Sequence, residues 1–160
     1  MKEMSSREVL ISVVGAFIAT LCATFFSRSI LSADNLPMIL ASTGASAMLI
    51  FGVPHAKVSQ PWNLIGGHLI SALVGVTCAK VIPNEVLASS LAIPVAMYLM
   101  YICHCMHPPG GATAVTAVIG GVNIQALGYA FILVPVFFNA IILLSIAMAT
   151  ATFREKNPFL

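Results

Sequence analysis

The stretch His107-Pro108-Pro109-Gly110-Gly111-Ala112-Thr113-Ala114 decides the fold, because it interrupts the most apolar part of the chain. It lies within 68 residues, from Val86 to Phe153, that include no Asp, Glu, Lys or Arg. Proline cannot continue a helix, although it is well tolerated in the first turn of a new one. The stretch therefore predicts that one helix ends before Pro108 and that the next begins near Gly110.

The composition indicates that a lipid bilayer surrounds this chain. Of its 160 residues, 59% are hydrophobic and 8% are charged, and the mean hydropathy is +1.02. Soluble domains carry about 25% charged residues, so this chain lacks the polar groups to cover a water-facing surface. The formal net charge is only +2, which argues against a nucleic-acid partner. We predict a single transmembrane domain over residues 1–160.

Turn residues divide the chain into six apolar segments. They are Val9–Ser27, Pro37–Val53, Pro61–Ala79, Val86–Met106, Gly110–Gly121 and Leu127–Phe153. A helix needs about 20 apolar residues to cross a bilayer. The pattern predicts an all-α, polytopic integral membrane protein with four long transmembrane helices and two shorter broken or re-entrant helices. Pro94 and Pro135 are expected to bend the fourth and sixth segments.

The two short segments resemble each other. Thr43-Gly44-Ala45-Ser46-Ala47 matches Gly110-Gly111-Ala112-Thr113-Ala114, and apolar residues follow each up to Gly52 or Gly120. The order long, short, long also occurs twice. These features predict an internal duplication of three segments, with repeat one over about residues 9–80 and repeat two over about residues 86–153.

The sequence leaves the number of crossings open. Six crossings would make the repeats inverted, whereas four would make them parallel. With four crossings, one side holds five basic residues and the other holds Arg28 and Lys57; with six, Lys57 and Lys80 exchange sides. Because the larger group shares the side of the termini in both cases, the positive-inside rule places both termini in the cytoplasm.

The start of the helix after Pro109 is the candidate binding site. A helix N-terminus presents unbonded N–H groups and a partial positive charge, and broken helices of transporters offer such ends to anions. The predicted substrate-binding residues come from the two short segments, the stretch before the second of them, and the third long segment. They are His107, Pro108, Pro109, Gly110, Gly111, Thr113, Thr43, Gly44, Ser46 and His68. Close helix packing at the glycines, and a histidine that caps a carbonyl, are the alternatives.

A second constellation, Cys103-His104-Cys105-Met106-His107, contains soft metal ligands that suit copper(I) or zinc. Structural zinc sites split their ligands into two separated pairs, so we predict no metal here and expect the four cysteines to be buried free thiols. Asn139 is expected to form an interhelical hydrogen bond or to contact substrate. Trp62 and Asn63 are expected at an interface and a helix start.

At the quoted stretch the chain resembles the HPP family of small integral membrane proteins, which is named for this motif. Gly44–Ala47, Phe51–His55 and Asn63–His68 are also similar to that family, and the resemblance covers roughly residues 9–152. Members are usually described as four-helix membrane proteins, and cyanobacterial and chloroplast relatives are implicated in nitrite transport. The resemblance implies a transporter or channel for a small monovalent anion, with nitrite as the first candidate.

These observations together predict an integral protein of the inner (plasma) membrane that works as a homo-oligomer. Paired carboxylates, a nucleophile with a positioned base and a cofactor motif are all missing from the sequence, so we expect neither an enzyme nor a cofactor. Two alternatives remain. One is a membrane scaffold or complex subunit without transport activity, and the other is a metal or redox protein that uses Cys103, His104, Cys105 and His107.

Overall fold

The computed structural model describes residues 5–31 and 36–159, with side chains from residue 39 onward in the second range. Within these residues the protein is all-α, as predicted. Its helices are α1 (Ser6–Ile30), α2 (Leu36–Gly52), α3 (Pro61–Val81), α4 (Glu85–Ile102), α5 (Gly110–Ile119), α6 (Val122–Leu127) and α7 (Phe138–Ala151). A 3₁₀ turn at Lys57–Ser59 precedes α3, and a π-helical segment at Ile132–Phe137 leads into α7.

Four helical units in the described residues are long and apolar enough to cross a membrane. They are α1, α3, α4 and the unit Ile132–Ala151 that ends with α7. The helices α2 and α5 are apolar but shorter. This confirms the predicted polytopic membrane fold of four long and two shorter helices.

Local sequence signals account for the N-termini of three helices. Ser5 and Glu8 form a capping box at the start of α1. The side chain of Asn84 caps α4 by accepting a hydrogen bond from the Leu87 N–H. Pro61 occupies the first turn of α3, where its missing N–H costs no hydrogen bond.

The helix α4 ends at Ile102, four residues before the predicted end at Met106. Side chains of α3 bond to the carbonyls that follow: Trp62 Nε1 donates to Cys103 O at 3.0 Å, and Asn63 Nδ2 donates to Met106 O at 2.9 Å. Residues 103–109 therefore form a non-helical segment that is bonded to the start of α3.

The last predicted segment is divided in the structure. The sequence pattern did not predict α6, which lies between Gly121 and Gly128, two glycines with positive φ of 91° and 52°. At Val134 the backbone leaves the helical region (φ −128°, ψ 113°), so the expected interruption near Pro135 is present. Pro94 lies inside α4, which is a single helix over its whole length.

Contacts between the helices show the direction of each one. Arg154, just after α7, donates to Ser12 Oγ in α1 at 2.9 Å, and Gln60 before α3 donates to the Pro158 carbonyl at 3.2 Å. We call the end of the bundle where these residues meet the terminal end. Partial burial lowers the pKa of Arg154, while the nearby Glu8 raises it. The opposite end of the bundle contains a buried apolar cluster that includes Leu31, Val76, Ile124 and Phe131. We call it the far end.

The chain alternates between these two ends. A Cβ on Gly15 would touch Phe51, so α2 runs back from the far end toward the terminal end. The helix α4 is antiparallel to α3, because the chain after α4 meets Trp62 at the start of α3. In contrast, α5 runs parallel to α3: a Cβ on Gly110 would meet Ser71, one on Gly75 would meet Ala114, and Gly128 lies close to Lys80.

Small residues allow the long helices to pack closely. The buried face of α1 consists of Ser12, Gly15, Ala19, Ala23 and Ser27, and that of α4 consists of Ala88, Ala92, Ala96 and Met100. Large apolar side chains such as Phe17, Phe25 and Tyr98 are exposed on the other faces of these helices. This arrangement is typical of membrane helices, whose backbones approach each other across small residues.

Candidate functional site

Four buried polar side chains meet in the interior of the helical bundle. Ser46 comes from α2, His68 from α3, His107 from the segment 103–109 and Thr113 from α5. Each is at most 5% exposed. We call these four residues the histidine cluster, and all four belong to the predicted substrate-binding set.

Every ring nitrogen of the two histidines has a partner. Ser46 Oγ lies 2.7 Å from His68 Nε2 and 3.0 Å from His107 Nε2. Thr113 Oγ1 lies 2.8 Å from His68 Nδ1, and the Val58 carbonyl lies 2.8 Å from His107 Nδ1. The two rings are close to each other, with centroids 4.9 Å apart and planes at 61°. His107 therefore does bond to a carbonyl, as the alternative interpretation expected, but it also bonds to Ser46.

Glycines of α3 allow this geometry. A Cβ on Gly67 would lie 2.5 Å from His107 Cβ and 3.0 Å from the Cys105 carbonyl oxygen. A Cβ on Gly66 would lie 2.9 Å from Cys105 Cβ. The sequence Gly66-Gly67-His68 thus lets the segment 103–109 lie directly against α3.

The two glycines of the motif have different surroundings. A Cβ on Gly110 would lie 2.5 Å from Ser71 Oγ and 3.1 Å from the Gly67 carbonyl oxygen, so close helix packing explains this glycine. A Cβ on Gly111 would meet nothing within 4 Å. The same is true of Gly44 in the matching segment.

The backbone donors at the start of α5 are not unbonded as expected. The N–H groups of Gly110, Gly111 and Ala112 donate to the carbonyls of His107, Pro108 and Pro109 at 2.9, 3.0 and 3.1 Å. The turn that makes these bonds begins at His107, and its two prolines have no N–H to leave unpaired. The expectation of free N–H groups is therefore wrong for this structure, and the polar groups at this level are side chains.

A second polar group lies next to the histidine cluster. Asn139 Nδ2 donates to Ser27 Oγ at 2.8 Å and to Thr43 Oγ1 at 3.4 Å. A cavity of about 10 Å³ separates this group from His68 and Ser46, which is room for about one water molecule. Thr43 thus faces the cluster across the cavity, and Asn139 forms the interhelical bonds that were one of its two expected roles.

A larger cavity of about 180 Å³ lies at the far end of the bundle. Its lining residues are Val76, Ala79, Lys80, Ala117, Ile124, Gln125 and Gly128. Lys80 is the charged residue of this lining, and its Nζ lies 5.7 Å from the centre of the Tyr129 ring. The sequence pattern used Lys80 only in counting the basic residues on each side of the membrane, and the predicted site did not include it.

The structure therefore brings together Ser46, His68, His107 and Thr113 and places Thr43 nearby. Pro109 and Gly110 are buried, Pro108 is exposed, and Gly44 and Gly111 border open space. Ser27, Asn139 and Val58 complete the polar network. Asn139 was noted from its position within an apolar segment, whereas a backbone carbonyl such as that of Val58 gives no signal in a sequence.

The cysteines differ from the expectation of burial. Cys105 is buried and Cys78 is partly buried, but Cys22 and Cys103 are exposed on the protein surface. His104 is also exposed, whereas His107 bonds to Ser46 and Val58. Within residues 5–31 and 36–159, no group of three or more His, Cys, Asp or Glu side chains is placed to hold a metal ion.

Comparison with known proteins agrees with this membrane architecture. The family model for the HPP transmembrane region matches residues 1–159. Two transmembrane proteins of Dictyostelium discoideum are 38% identical over 129 residues and 33% identical over 157 residues. The matches cover 78% and 96% of this chain but 45% and 50% of those proteins, so the chain spans about half the length of the curated relatives it matches.

No solved structure matches the chain. The family match extends over nearly the whole chain and includes all the helices described above. Both relatives are named as transmembrane proteins. The chain belongs to the HPP family of transmembrane proteins.

Proposed function

We propose that this protein is a transporter or channel that moves a small monovalent anion across the plasma membrane. The observation that supports this most strongly is the buried network of Ser46, His68, His107, Thr113 and Asn139 inside apolar helices. Polar residues at membrane depth are costly, and they commonly line substrate pathways. Nitrite is the substrate that the family resemblance implies, and it is our first test ion.

The lining of the two cavities suits an anion. Hydroxyl, amide and imidazole groups of Ser42, Thr43, Ser46, His68 and Asn139 face the central cavity, and none of them carries a fixed negative charge. Lys80 adds a cation at the far end. Neutral hydrogen-bond donors in the middle and one cation at an entrance attract a monovalent anion without holding it too tightly to leave.

The central cavity is closed to such an ion in this structure. A volume of about 10 Å³ holds about one water, whereas nitrite has three heavy atoms. We therefore propose that α2 or α5 moves to admit the ion between His68 and Asn139. The open space beside Gly44 and Gly111 lies on the faces of these helices away from close contacts.

We propose six crossings, so that the two repeats are inverted. The helix α2 runs between the two ends, and α5 continues the path of the segment 103–109 from the Trp62 level to the Lys80 level. The basic residues Arg7, Lys57, Arg154 and Lys156 then lie toward the terminal end, while Arg28 and Lys80 lie toward the far end. By the positive-inside rule, the terminal end faces the cytoplasm.

Helix packing supports the proposed duplication. In repeat one, α1 contacts α2 of its own repeat and α7 of the other. In repeat two, α4 contacts α5 of its own repeat and α3 of the other. The two short helices α2 and α5 also contact each other. A two-fold rotation that exchanges two equivalent three-helix units would produce this pattern of helix contacts.

We further propose that the protein works as a homo-oligomer, because α1 and α4 expose apolar faces that a second copy or lipid would cover. The measurement is the mass of the particle in lipid nanodiscs. A single copy in every particle contradicts this part of the proposal.

The experiment for the transport function is nitrite flux into proteoliposomes. We expect Thr113→Val to reduce flux strongly, because it removes a hydroxyl from the histidine cluster while preserving side-chain size. Ser89→Ala is the matched control, because Ser89 Oγ is buried without a hydrogen-bond partner and lies outside the cluster. If vesicles that contain the unaltered protein take up nitrite, nitrate, formate and chloride no faster than vesicles without protein, the result would instead favour a scaffold or complex subunit.

A further inference from the structure

The assignment of donors and acceptors in the histidine cluster starts from one carbonyl. The Val58 carbonyl can only accept, so His107 Nδ1 must carry the proton in their 2.8 Å contact. A neutral histidine has one ring proton. His107 Nε2 is therefore an acceptor, and the Ser46 hydroxyl, 3.0 Å away, is the donor placed to bond to it.

The remaining bonds follow from this assignment. Ser46 has a single hydroxyl proton, and the Ser42 carbonyl at 3.0 Å competes for it with His107 Nε2 at 3.0 Å. With that proton directed to either of these acceptors, His68 Nε2 donates in its 2.7 Å contact with Ser46 Oγ. His68 Nδ1 then has no proton and accepts from Thr113 Oγ1 at 2.8 Å. With the Ser46 proton directed to His107 Nε2, four successive hydrogen bonds point the same way, from Thr113 through His68, Ser46 and His107 to Val58.

We infer that this chain of hydrogen bonds is a proton relay that couples proton movement to the movement of the anion. The inference rests on the proposed transport function and specifies how transport is driven. One end of the relay, Thr113, lies in α5 inside the bundle. The other end, Val58, belongs to the 3₁₀ turn Lys57–Ser59 at the terminal end.

The transfer conserves protons at every step. When an acid gives a proton to Thr113 Oγ1, the Thr113 hydroxyl proton passes to His68 Nδ1. His68 passes its Nε2 proton to Ser46, and Ser46 passes its own to His107 Nε2. The positive charge then resides on His107, and its Nδ1 proton leaves to water when the contact with the Val58 carbonyl opens.

The relay also has a defined resting state. After the proton leaves, His107 Nδ1 and the Val58 oxygen are two acceptors that face each other, which is unfavourable. When the cluster opens to water, each histidine takes up a proton at the ring nitrogen that lost one and releases the proton on its other nitrogen to water, so the first arrangement returns with no net change in protons. The Val58 carbonyl therefore sets the direction to which the relay returns.

The surroundings explain why a proton and an anion would move together. The cluster is faced by Ser42 and Thr43 of α2 and by Asn139 of α7, and Met100 of α4 and Cys105 lie against Gly67 beside it. Among these described neighbours the titratable group is the Cys105 thiol, and none is Asp, Glu, Lys or Arg. A positive charge on the cluster thus has no fixed counter-charge, and an anion in the central cavity would supply one.

The first test is the tautomer of each histidine, read by ¹⁵N solid-state NMR of the protein in lipid near neutral pH. His55 and His104 lie outside the cluster, so a His55→Gln, His104→Gln background leaves only His68 and His107 to observe. We expect the proton on Nε2 of His68 and on Nδ1 of His107. Protons on the same nitrogen of both rings would overturn the relay.

The second test compares proton and nitrite movement in the same vesicles. Ser46→Ala interrupts the relay between the two histidines, so we expect the ratio of protons to nitrite moved to fall by roughly tenfold, about the effect of one lost hydrogen bond. Ser46→Thr keeps the hydroxyl and should restore the ratio, and Ser89→Ala serves as the control. An unchanged ratio in Ser46→Ala would overturn the relay and leave the proposed function intact. If the unaltered protein moves no nitrite, the proposed function fails, and the NMR tautomers alone decide whether the directed chain exists.

Discussion

Ser46 and Thr113, which occupy matching positions in the two short helices, bond to opposite nitrogens of the same imidazole ring. Ser46 Oγ lies 2.7 Å from Nε2 of His68, and Thr113 Oγ1 lies 2.8 Å from Nδ1. The two segments were matched in sequence, and in the structure they contact the same side chain. They meet at a residue of α3, which allows the motion of either short helix to alter the same ring.

Gly67 is predicted to tolerate substitution poorly. A Cβ there would lie 2.5 Å from His107 Cβ and 3.0 Å from the Cys105 backbone, so the segment 103–109 would have to move away from α3. We expect Gly67→Ala to destabilise the protein by about 1–3 kcal/mol and to shift the His107 NMR signals. The measurement is thermal unfolding in detergent, with Gly52→Ala as control because a Cβ there meets nothing within 4 Å. Equal midpoints for the two variants would contradict the packing described for Gly67.

The two glycines of the motif should respond differently to alanine. Gly110→Ala forces Ser71 Oγ to rotate and presses on the Gly67 carbonyl, so we expect a loss of about 1–3 kcal/mol. Gly111→Ala places its methyl group in open space and adds helix propensity, so we expect no loss of stability. Thermal unfolding of both variants checks this prediction. A larger loss for Gly111→Ala would show that the second glycine is the packed one.

Lys57 and Lys80 are predicted to lie on opposite sides of the membrane. Single Lys57→Cys and Lys80→Cys variants, in a background without the four native cysteines, can be labelled in intact cells with a reagent that does not cross the membrane. We expect labelling of residue 80 and protection of residue 57, because the terminal end is expected to be cytoplasmic. In permeabilised cells the reagent should label both positions. Labelling of 57 with protection of 80 in intact cells would indicate either four crossings with cytoplasmic termini or six crossings in the reversed orientation. Equal behaviour of the two positions would exclude both arrangements.

Lys80 should raise the local concentration of anions at the far end. We expect Lys80→Met to raise the KM for nitrite by about two- to fivefold, because an exposed charge contributes about 0.2–1 kcal/mol to an ionic contact. Lys80→Arg should retain the wild-type value, and added salt should reduce the difference in KM between the unaltered protein and the Lys80→Met variant. The measurement is the concentration dependence of initial flux. An unchanged KM in Lys80→Met places the ion entrance elsewhere.

The sequence predicted the larger features of the fold because they follow from hydropathy and from proline and glycine. The break at Pro108-Pro109, the start of α5 at Gly110 and the interruption near Pro135 are all present. The early end of α4 was missed, because it depends on hydrogen bonds from Trp62 and Asn63, which are distant in sequence.

The members of the histidine cluster were predictable as residue types, but their bonding was not. All four are polar residues within or beside apolar segments, and this contrast identified them as candidate site residues. That Ser46 bonds to both histidines depends on α2 lying within hydrogen-bond distance of His68 in α3 and of His107. The role of the Val58 carbonyl could not be predicted from the residue type, because every residue has a backbone carbonyl.

The two prolines that precede α5 give this helix a beginning that needs no water. A helix normally starts with four N–H groups that lack partners, and in hydrocarbon each one is expensive. Pro108 and Pro109 omit two such groups by their covalent structure, and the next three N–H groups are bonded to carbonyls of the same turn. In this chain the pair Pro108-Pro109 therefore gives α5 a first turn whose backbone needs no bound water inside the membrane.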